Sequence, residues 1–318
     1  MPAPPIPIVS VLVPAYRCAA FIADTIRSLQ AQTLADWEAI VVDDGSPDDL
    51  VAALRPFAGD TRIRLLRTAH AGVSAARNAA LAAARAPLIA LLDGDDAYAP
   101  DYLAEMTGAM AADPDLGFVT CDATFVGNVR LEGRRFSAVL PQVPPVTLDR
   151  VLARQFNVFT ACMLQASAVR AVGGWSEQLQ SAEDLDLWIR LLERGWRCGY
   201  VPRALHRYRR RTDSLSAARL PLLHAVAHVY DGAVARLDGR PEQRTARAVR
   251  ATIDRDIAFA QGEAMVVAGD VRGGLRELRR AGARTRTLAW RTALLAMRLV
   301  PAAAPRFMRW RMQAATRG

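Results

Sequence analysis

The chain has 318 residues, of which 52% are hydrophobic and 23% are charged, so it can bury a sizeable core and is not disordered as a whole. Its four cysteines lie far apart without a CxxC pair, which argues against a cysteine-rich zinc site and a disulfide framework. No apolar run reaches the ~20 residues of a membrane-spanning helix, and the N-terminus lacks a signal-peptide pattern. We therefore expect a cytoplasmic protein.

Charge divides the chain into two parts. All 41 basic residues are arginine. Residues 1–213 hold 22 arginines and 24 acids, whereas residues 214–318 hold 19 arginines and 8 acids. We expect two domains, at 1–215 and at 216–318, the second basic and mainly helical. The basic part lacks stacking aromatic residues on a recognisable nucleic-acid module, so no nucleic-acid partner is expected.

Strands and helices alternate along the first hundred residues. Ser46 followed by Pro47 predicts a helix start directly after the second strand. The alternation predicts an α/β fold with a mostly parallel sheet and helices on its faces, and ligands bind such sheets at the carboxyl ends of the strands. We expect strands at 8–13, 38–42, 63–66, 88–92, 117–121 and 198–201, and helices at 19–31, 72–84, 101–112, 185–192 and from 216 onward.

Acidic clusters follow two of the predicted strands. Asp93, Asp95 and Asp96 come directly after the fourth strand, and carboxylates spaced in this way can converge on Mg²⁺ or Mn²⁺. The alternative is a solvated acidic turn. Asp43 and Asp44 end the second strand, where a carboxylate can accept a hydrogen bond from a base or a ribose. The alternative there is a turn that leads into a helix.

Two further groups have both a structural and a functional interpretation. Asp184 lies three residues after Ser181, which fits a capping box, and it could also act as a general base. His206 begins a basic run and could ligate a metal, or the run could be an exposed turn. Spacing alone favours the capping box for Asp184 and leaves the two interpretations of His206 open.

Five segments in order and spacing resemble the family 2 inverting glycosyltransferases with a GT-A fold. The resemblance covers roughly residues 8–216 and implies a Rossmann-like domain that uses a nucleotide-sugar donor. In chain order, the first four segments are VSVLVPAYRCAA, EAIVVDDGSPDD, HAGVSAARNAAL and PLIALLDGDDAYAPDYL. The fifth consists of GGWSE together with SAEDLDLWIRLLERG.

The resemblance also implies roles for individual residues. Asp184 would be the catalytic base, with Glu183 beside it, in a single displacement that inverts the anomeric carbon. Mg²⁺ or Mn²⁺ would be the cofactor, held by Asp93, Asp95 and His206. The residues implied in nucleotide-sugar binding are Pro14, Ala15, Tyr16, Asp43, Asp44, Gly72, Arg77, Asn78, Asp93 and Gly94.

Two other functions are weighed against transfer. A sugar nucleotidyltransferase would carry a glycine-rich phosphate loop after the first strand, where this chain reads PAYRCAA. A non-catalytic nucleotide-sugar binder would not need Asp93, Asp95 and Asp184. The expected acceptor is a glycan or a lipid-linked glycan, in cell-envelope or polysaccharide synthesis.

The basic C-terminal region suggests a membrane contact. Arg284, Arg291 and Arg298 are spaced by seven on a predicted helix, and Trp290 and Met297 lie far from that stripe. This pattern suits the surface of an anionic bilayer, at the inner face of the plasma membrane. The alternatives are a helix packed against the transferase domain and an arm that binds a partner.

Overall fold

A computed structural model describes residues 5–128, 130–211, 219–282 and 287–317. Contacts divide the chain into two compact units, residues 1–214 and 215–318. Arg284 of the predicted arginine stripe lies outside the described residues.

The first unit is built on a mixed sheet of eight strands in the order β3-β2-β1-β4-β7-β6-β8-β5. Strands β3, β2, β1 and β4 run parallel to one another, and β6 runs parallel to β8. Strand β7 runs antiparallel to both of its neighbours, and β5 runs antiparallel to β8. The strands are β1 (Val9–Ala15), β2 (Trp37–Asp44), β3 (Ile63–Thr68), β4 (Leu88–Leu91), β5 (Ala97–Tyr98), β6 (Leu116–Val126), β7 (Cys162–Gln165) and β8 (Arg197–Arg209).

Helices join the strands of this unit. Strands β1 and β2 are buried along their whole length because helices cover the sheet around them. Val11 and Val13 of β1 share one core with Ile22 and Ile26 of α1, and α3 packs against β1 and β2. The helices are α1 (Ile22–Gln30), α2 (Leu50–Leu54), α3 (Val73–Ala83), α4 (Tyr102–Ala112), α5 (Leu148–Leu152), α6 (Ala166–Ala171) and α7 (Glu183–Glu193).

Two predicted helix starts are wrong. Helix α2 begins after Asp49, whose side chain accepts from the Ala52 amide, so Asp49 is the cap instead of Ser46. Helix α7 begins after Ala182, which has a left-handed φ of 61° and makes no side-chain cap bond. The Ser181 capping box therefore does not form, and capping does not account for Asp184.

The second unit is helical. Its core contains Trp290, Ala293 and Met297, all buried, together with Val266 and Leu278. None of the helices within the described ranges is both long and apolar enough to cross a bilayer. The helices are α8 (Arg219–Arg236), α9 (Glu242–Ala268), α10 (Val271–Arg280), α11 (Leu288–Leu299) and α12 (Ala304–Arg317).

The four cysteines are free thiols and all are buried. Burial, together with the nearby Asp95 and Asp48 carboxylates, raises the pKa of Cys18 to about 12. Burial also raises the pKa of Cys121, Cys162 and Cys198. The thiols of the first unit are therefore protonated and enclosed.

Candidate active site

The predicted acidic segments meet at one edge of the sheet. Because β1, β2 and β4 are parallel, their carboxyl ends share that edge, and Ala15 of β1 lies opposite Asp43 of β2. The turn after β4 carries Asp93 to Asp96. The start of α7 joins this edge through Arg77 of α3, which contacts both Asp93 and Asp184.

Asp44 holds the loop that leads into α3. Its buried carboxylate accepts from the backbone amides of Ala71 at 2.8 Å and Gly72 at 2.9 Å, and pairs with His70 Nδ1 at 2.9 Å. Gly72 has a φ of 95°, which favours glycine, and forms the N-cap of α3. Both Asp44 oxygens are thus occupied by this loop, where the sequence predicted a contact with the base.

Asp43 anchors the following turn. Its Oδ1 accepts from the Ser46 amide at 2.9 Å, and its Oδ2 accepts from Arg67 Nε at 3.3 Å. The Ser46 hydroxyl in turn accepts from the Arg17 amide at 2.7 Å. The Asp43 side chain therefore ties the end of β2 to the segment that follows β1.

Tyr16 presents an aromatic ring directly after β1. The ring stacks on His70 with centroids 4.1 Å apart and planes 13° from parallel. The guanidinium of Arg17 lies over the Tyr16 ring at 5.3 Å. Tyr16 is partly exposed, so a flat ligand could approach this aromatic platform.

The turn after β4 is packed tightly against the end of β1. The Gly94 amide donates to the Pro14 carbonyl at 3.1 Å. A Cβ at Gly94 would lie 2.8 Å from Cys18 Sγ, so a larger residue would push the turn away. Glycine at this position therefore brings Asp93 and Asp95 against the β1 end.

Asp95 lies in a strongly electronegative environment. Burial raises its pKa to about 7, with further contributions from the Asp96 and Asp93 carboxylates, while Arg211 lowers it. Arg211 Nη1 is 3.4 Å from Asp95 Oδ2. A divalent cation beside Asp95 would oppose the same repulsion.

His206 occupies a different position from the one predicted. Its ring is buried, and its Nε2 pairs with Asp96 Oδ2 at 2.8 Å. Asp96 Oδ1 accepts from the Arg209 amide at 2.7 Å, so the pair fastens β8 to the acidic turn. Tyr98 and Phe159 pack edge-on against the imidazole ring. In this structure His206 Nε2 is bound to Asp96 while Nδ1 has no hydrogen-bond partner among the described residues, so a contact between His206 and a metal stays a prediction from the sequence.

Arg77 links three carboxylates. Its side chain is only 2% exposed. Nη2 donates to Asp93 at 2.9 Å, and Nη1 donates to Glu183 and to Asp184, both at 2.8 Å. Burial lowers the pKa of Arg77, but the three carboxylates outweigh it and the net effect is to raise that pKa. Arg77 therefore contacts acidic side chains, where the sequence predicted a contact with the nucleotide.

Asp184 is held by donors from three different segments. Oδ1 accepts from Arg77 Nη1 at 2.8 Å and from Trp175 Nε1 at 3.1 Å, while Oδ2 accepts from the Thr160 hydroxyl at 2.8 Å. The Asp184 side chain nevertheless remains 20% exposed. A carboxylate fixed in orientation and still open to solvent can accept a proton from a bound molecule.

Glu183 is the more buried acid of the pair, with a side chain 11% exposed. Burial and the Asp184 charge raise the pKa of Glu183 to about 7, although Arg77 lowers it. Near neutral pH a substantial fraction of Glu183 is therefore uncharged. Asp184 is the better placed of the two acids to serve as a base.

Asn78 has a structural position that the sequence did not predict. Its Oδ1 accepts from the Trp175 amide, and its Nδ2 donates to the Trp175 carbonyl and to Glu177, all at 2.9 Å. A Cβ on Gly174 would come within 2.5 Å of Asn78 Oδ1. Both polar groups of Asn78 hold the turn before α7 in this structure, and its contact with the nucleotide stays a prediction from the sequence.

No cluster of three or more metal-binding side chains occurs within the described ranges. Asp93 and Asp95 are nevertheless carboxylates of the kind that Mg²⁺ or Mn²⁺ prefers, and both are partly exposed. The repulsion that raises the pKa of Asp95 fits a site that takes a cation. The residues present are thus compatible with one metal held by Asp93 and Asp95.

Comparison with known proteins identifies the family. The family model "Glycosyl transferase family 2" matches residues 10–169, which is half of the chain. The chain belongs to this family. The match ends before α7, so Asp184 lies outside the matched range.

Relatives of this family 2 chain include polysaccharide synthases and transferases. Chondroitin synthase of Escherichia coli is 29% identical over 195 residues, which is 60% of this chain and 27% of the relative. The first relatives matched are much longer, so this chain spans about a quarter or less of their length. The UDP-Glc:alpha-D-GlcNAc-diphosphoundecaprenol beta-1,3-glucosyltransferase WfgD of Escherichia coli is 29% identical over 66% of this chain and 80% of its own.

Solved structures show that the fold is GT-A. Mannosyltransferase PcManGT from Pyrobaculum calidifontis, in complex with GDP-Man and Mn²⁺, superimposes with a TM-score of 0.62 at 22% identity. The match covers 97% of this chain and 84% of that one. The predicted fold class is confirmed.

Several residues of the family 2 site were missed from the sequence. Thr160 and Trp175 hold Asp184, and His70 pairs with Asp44. Asp96 was recognised in the acidic cluster, but its pairing with His206 was not predicted. Thr160 lies 24 positions from Asp184 along the chain, so no local pattern connects them. Trp175 is part of the GGWSE segment, but the sequence did not predict its hydrogen bond to Asp184.

Proposed function

We infer that the protein is an inverting glycosyltransferase that moves a sugar from a nucleotide-diphosphate sugar to an acceptor hydroxyl. The observation that carries this proposal is the Arg77 cluster. It joins Asp184, a fixed and partly exposed carboxylate, to Asp93 in the acidic turn at the carboxyl end of the sheet. The buried guanidinium of Arg77 thereby connects the proposed catalytic base, Asp184, with the proposed donor site at Asp93.

Asp184 acts as the base. It removes the proton of the acceptor hydroxyl, whose oxygen attacks the anomeric carbon from the face opposite the leaving diphosphate. Arg77 and Trp175 both donate to Oδ1 and Thr160 alone donates to Oδ2, so the carboxylate is fixed while its side chain stays 20% exposed. One base without a protein nucleophile gives a single displacement, so the anomeric configuration inverts.

The donor side uses the acidic turn. Asp93 and Asp95 would hold Mg²⁺ or Mn²⁺, which would supply positive charge for the departing diphosphate. The fold neighbour crystallised with GDP-Man and Mn²⁺ supports this role. Tyr16 and the loop held by Asp44 form the platform on which the nucleotide's base would bind, and Arg211 supplies further positive charge beside Asp95.

The acceptor we propose is a glycan or lipid-linked glycan in cell-envelope or polysaccharide synthesis, on the cytoplasmic side of the membrane. The names of the relatives support this choice, since one acts on a diphosphoundecaprenol-linked sugar and another is a chondroitin synthase. A sugar nucleotidyltransferase and a non-catalytic binder are the alternatives. A fixed carboxylate such as Asp184 would serve neither of them.

The test is product analysis with purified protein. The chain is incubated with UDP-, GDP- and dTDP-sugars, with and without Mn²⁺, and thermal stabilisation identifies the donor. Proton NMR of the sugar that is transferred, or slowly released to water, then reports the anomeric configuration. We expect the configuration opposite to that of the donor.

A matched pair of variants ties the activity to the site. Asp184→Asn keeps a side-chain oxygen for Arg77 and an amide that can donate to the Thr160 oxygen, so it folds, but turnover falls ~10²-fold or more. Asp186→Asn removes an acid from the same helix that pairs with Arg190 at 2.7 Å, and it keeps turnover. Retained configuration, or near-normal turnover in Asp184→Asn, contradicts the proposal.

A further inference from the structure

Helix α11 carries a row of exposed leucines on one side. Leu288, Leu295 and Leu299 are 77%, 56% and 71% exposed. With 3.6 residues per turn, these three side chains lie within about 40° of one another around the helix. We call them the leucine row. Several exposed apolar side chains on one side of a helix are typical of a surface that binds a partner or a membrane.

Two arginines border the leucine row. Arg291 and Arg298 are exposed. Around the helix axis they lie about 60–80° from the centre of the leucine row, and both lie on the same flank of the row. The last acid of the sequence is Glu277, so α11 and α12 contain no carboxylate side chain. The surface around the row therefore attracts anions.

We propose that the leucine row, with Arg291 and Arg298, binds the surface of an anionic lipid bilayer. The leucines enter the acyl boundary while the flanking guanidinium groups reach lipid phosphates, which is the arrangement of an interfacial helix. From Leu288 to Leu299 the row is about 16 Å long and straight. A straight row of this kind can contact a flat bilayer surface along its whole length when the axis of α11 lies parallel to that surface.

The side of α11 far from the arginine stripe is the buried one. Trp290 and Met297, which the sequence places far from that stripe, lie in the core of the helical unit. Arg311 of α12 also covers the Trp290 ring at 3.9 Å. The opposite side of α11 is thus the one that is open to lipid.

Charge favours lipid over a second copy of the chain. A symmetric contact between two copies would place Arg291 and Arg298 near their own counterparts, with no acid on α11 or α12 to compensate. Phosphate headgroups supply the missing negative charge across the whole face. An anionic bilayer is therefore the occupant that matches both the apolar row and the arginines.

The experiment is flotation of the full chain with vesicles of equal parts phosphatidylglycerol and phosphatidylcholine at low salt. We expect wild type to bind these vesicles and not pure phosphatidylcholine. Leu295→Ser combined with Leu299→Ser lowers the partition coefficient about tenfold or more. Arg291→Gln combined with Arg298→Gln lowers it about 30-fold.

A charge-matched control separates this surface from generic attraction. Arg244→Gln combined with Arg247→Gln removes the same charge from exposed positions of α9 and should leave binding within about threefold of wild type. An equal loss in this control overturns the proposal.

The proposal is also overturned if the leucine double variant binds vesicles as strongly as wild type does. It is overturned as well if the leucine substitutions change only the oligomeric state of the protein and not its binding to vesicles. Circular dichroism verifies that each variant keeps its helix content. Donor binding is measured on the same samples, so the outcome is independent of the proposed transferase activity.

Discussion

Replacing Arg77 tests whether the buried cation organises the acidic site. Arg77→Met keeps much of the side-chain volume but leaves Asp93, Glu183 and Asp184 without their shared partner. Removing one member of a buried ion pair costs about 3–5 kcal/mol. Asp93 and Asp184 are partly exposed, so water offsets some of this, and we expect a loss of about 3 kcal/mol at pH 8.

That loss depends on pH with a definite sign. Glu183 has a pKa raised to about 7 in the folded protein, and Arg77 is a group that lowers it. Without Arg77 the pKa of Glu183 rises further, so the folded state tolerates the charged form even less. The difference in unfolding free energy between wild type and Arg77→Met should therefore be small near pH 5 and grow toward pH 8.

The assays are thermal unfolding at several pH values and the pH profile of donor turnover. A loss of about 3 kcal/mol corresponds to a fall in melting temperature of about 6–12 °C for a unit of this size. The pH at which turnover rises should move upward in Arg77→Met. Arg77→Lys should restore part of the melting temperature and part of the pH profile, because lysine keeps the positive charge but lacks the planar guanidinium that can donate to several carboxylates at once.

Two outcomes would refute the reasoning. A destabilisation that is the same at pH 5 and pH 8 would mean that Arg77 contributes packing alone. An unchanged pH profile of turnover in a folded Arg77→Met or Arg77→Lys variant would mean that the cation does not govern the carboxylates.

Three further predictions concern single residues of the site. Asp95→Asn should remove the Mn²⁺-dependent stabilisation by nucleoside diphosphate in thermal shift and abolish transfer; wild-type turnover without metal would contradict the metal assignment. Glu183→Gln should flatten the fall in unfolding free energy as pH rises from about 4.5 through 7, because the group whose pKa is raised by burial is removed; an unchanged pH dependence in urea titrations would disprove this. Asn78→Ala should lower the unfolding free energy by about 1–3 kcal/mol while calorimetry finds donor affinity nearly unchanged; a large loss of affinity in a stable variant would restore the predicted nucleotide contact.

Sequence patterns predicted the parallel half of the sheet because those strands are buried, apolar and bounded by turns. They underestimated β8, expected at 198–201 and found at Arg197–Arg209, because its charged residues at the exposed edge interrupt the apolar pattern. The short antiparallel strands β5 and β7 were missed for a related reason. Their pairing is set by distant neighbours, and a four-residue segment carries little signal of its own.

The candidate site shows the same limit at the level of single residues. Motif order brought Asp93 and Asp184 to notice, but the cation between them is 107 positions from Asp184 in the chain. Local rules also misled at Ser181, because the left-handed conformation of Ala182 starts α7 without a side-chain cap. Contacts made across the fold decided these roles, and no spacing rule contains them.

Because its thiols are enclosed, the native chain should not react with thiol-directed labels, so a label can be attached to a single introduced cysteine. Since all four cysteines are buried and their pKa values are raised, maleimide reagents should leave the folded protein unmodified near neutral pH. A single Leu295→Cys substitution would then carry an environment-sensitive fluorophore without removal of any native cysteine. The emission of that one dye could follow the depth and kinetics of contact with a vesicle in real time.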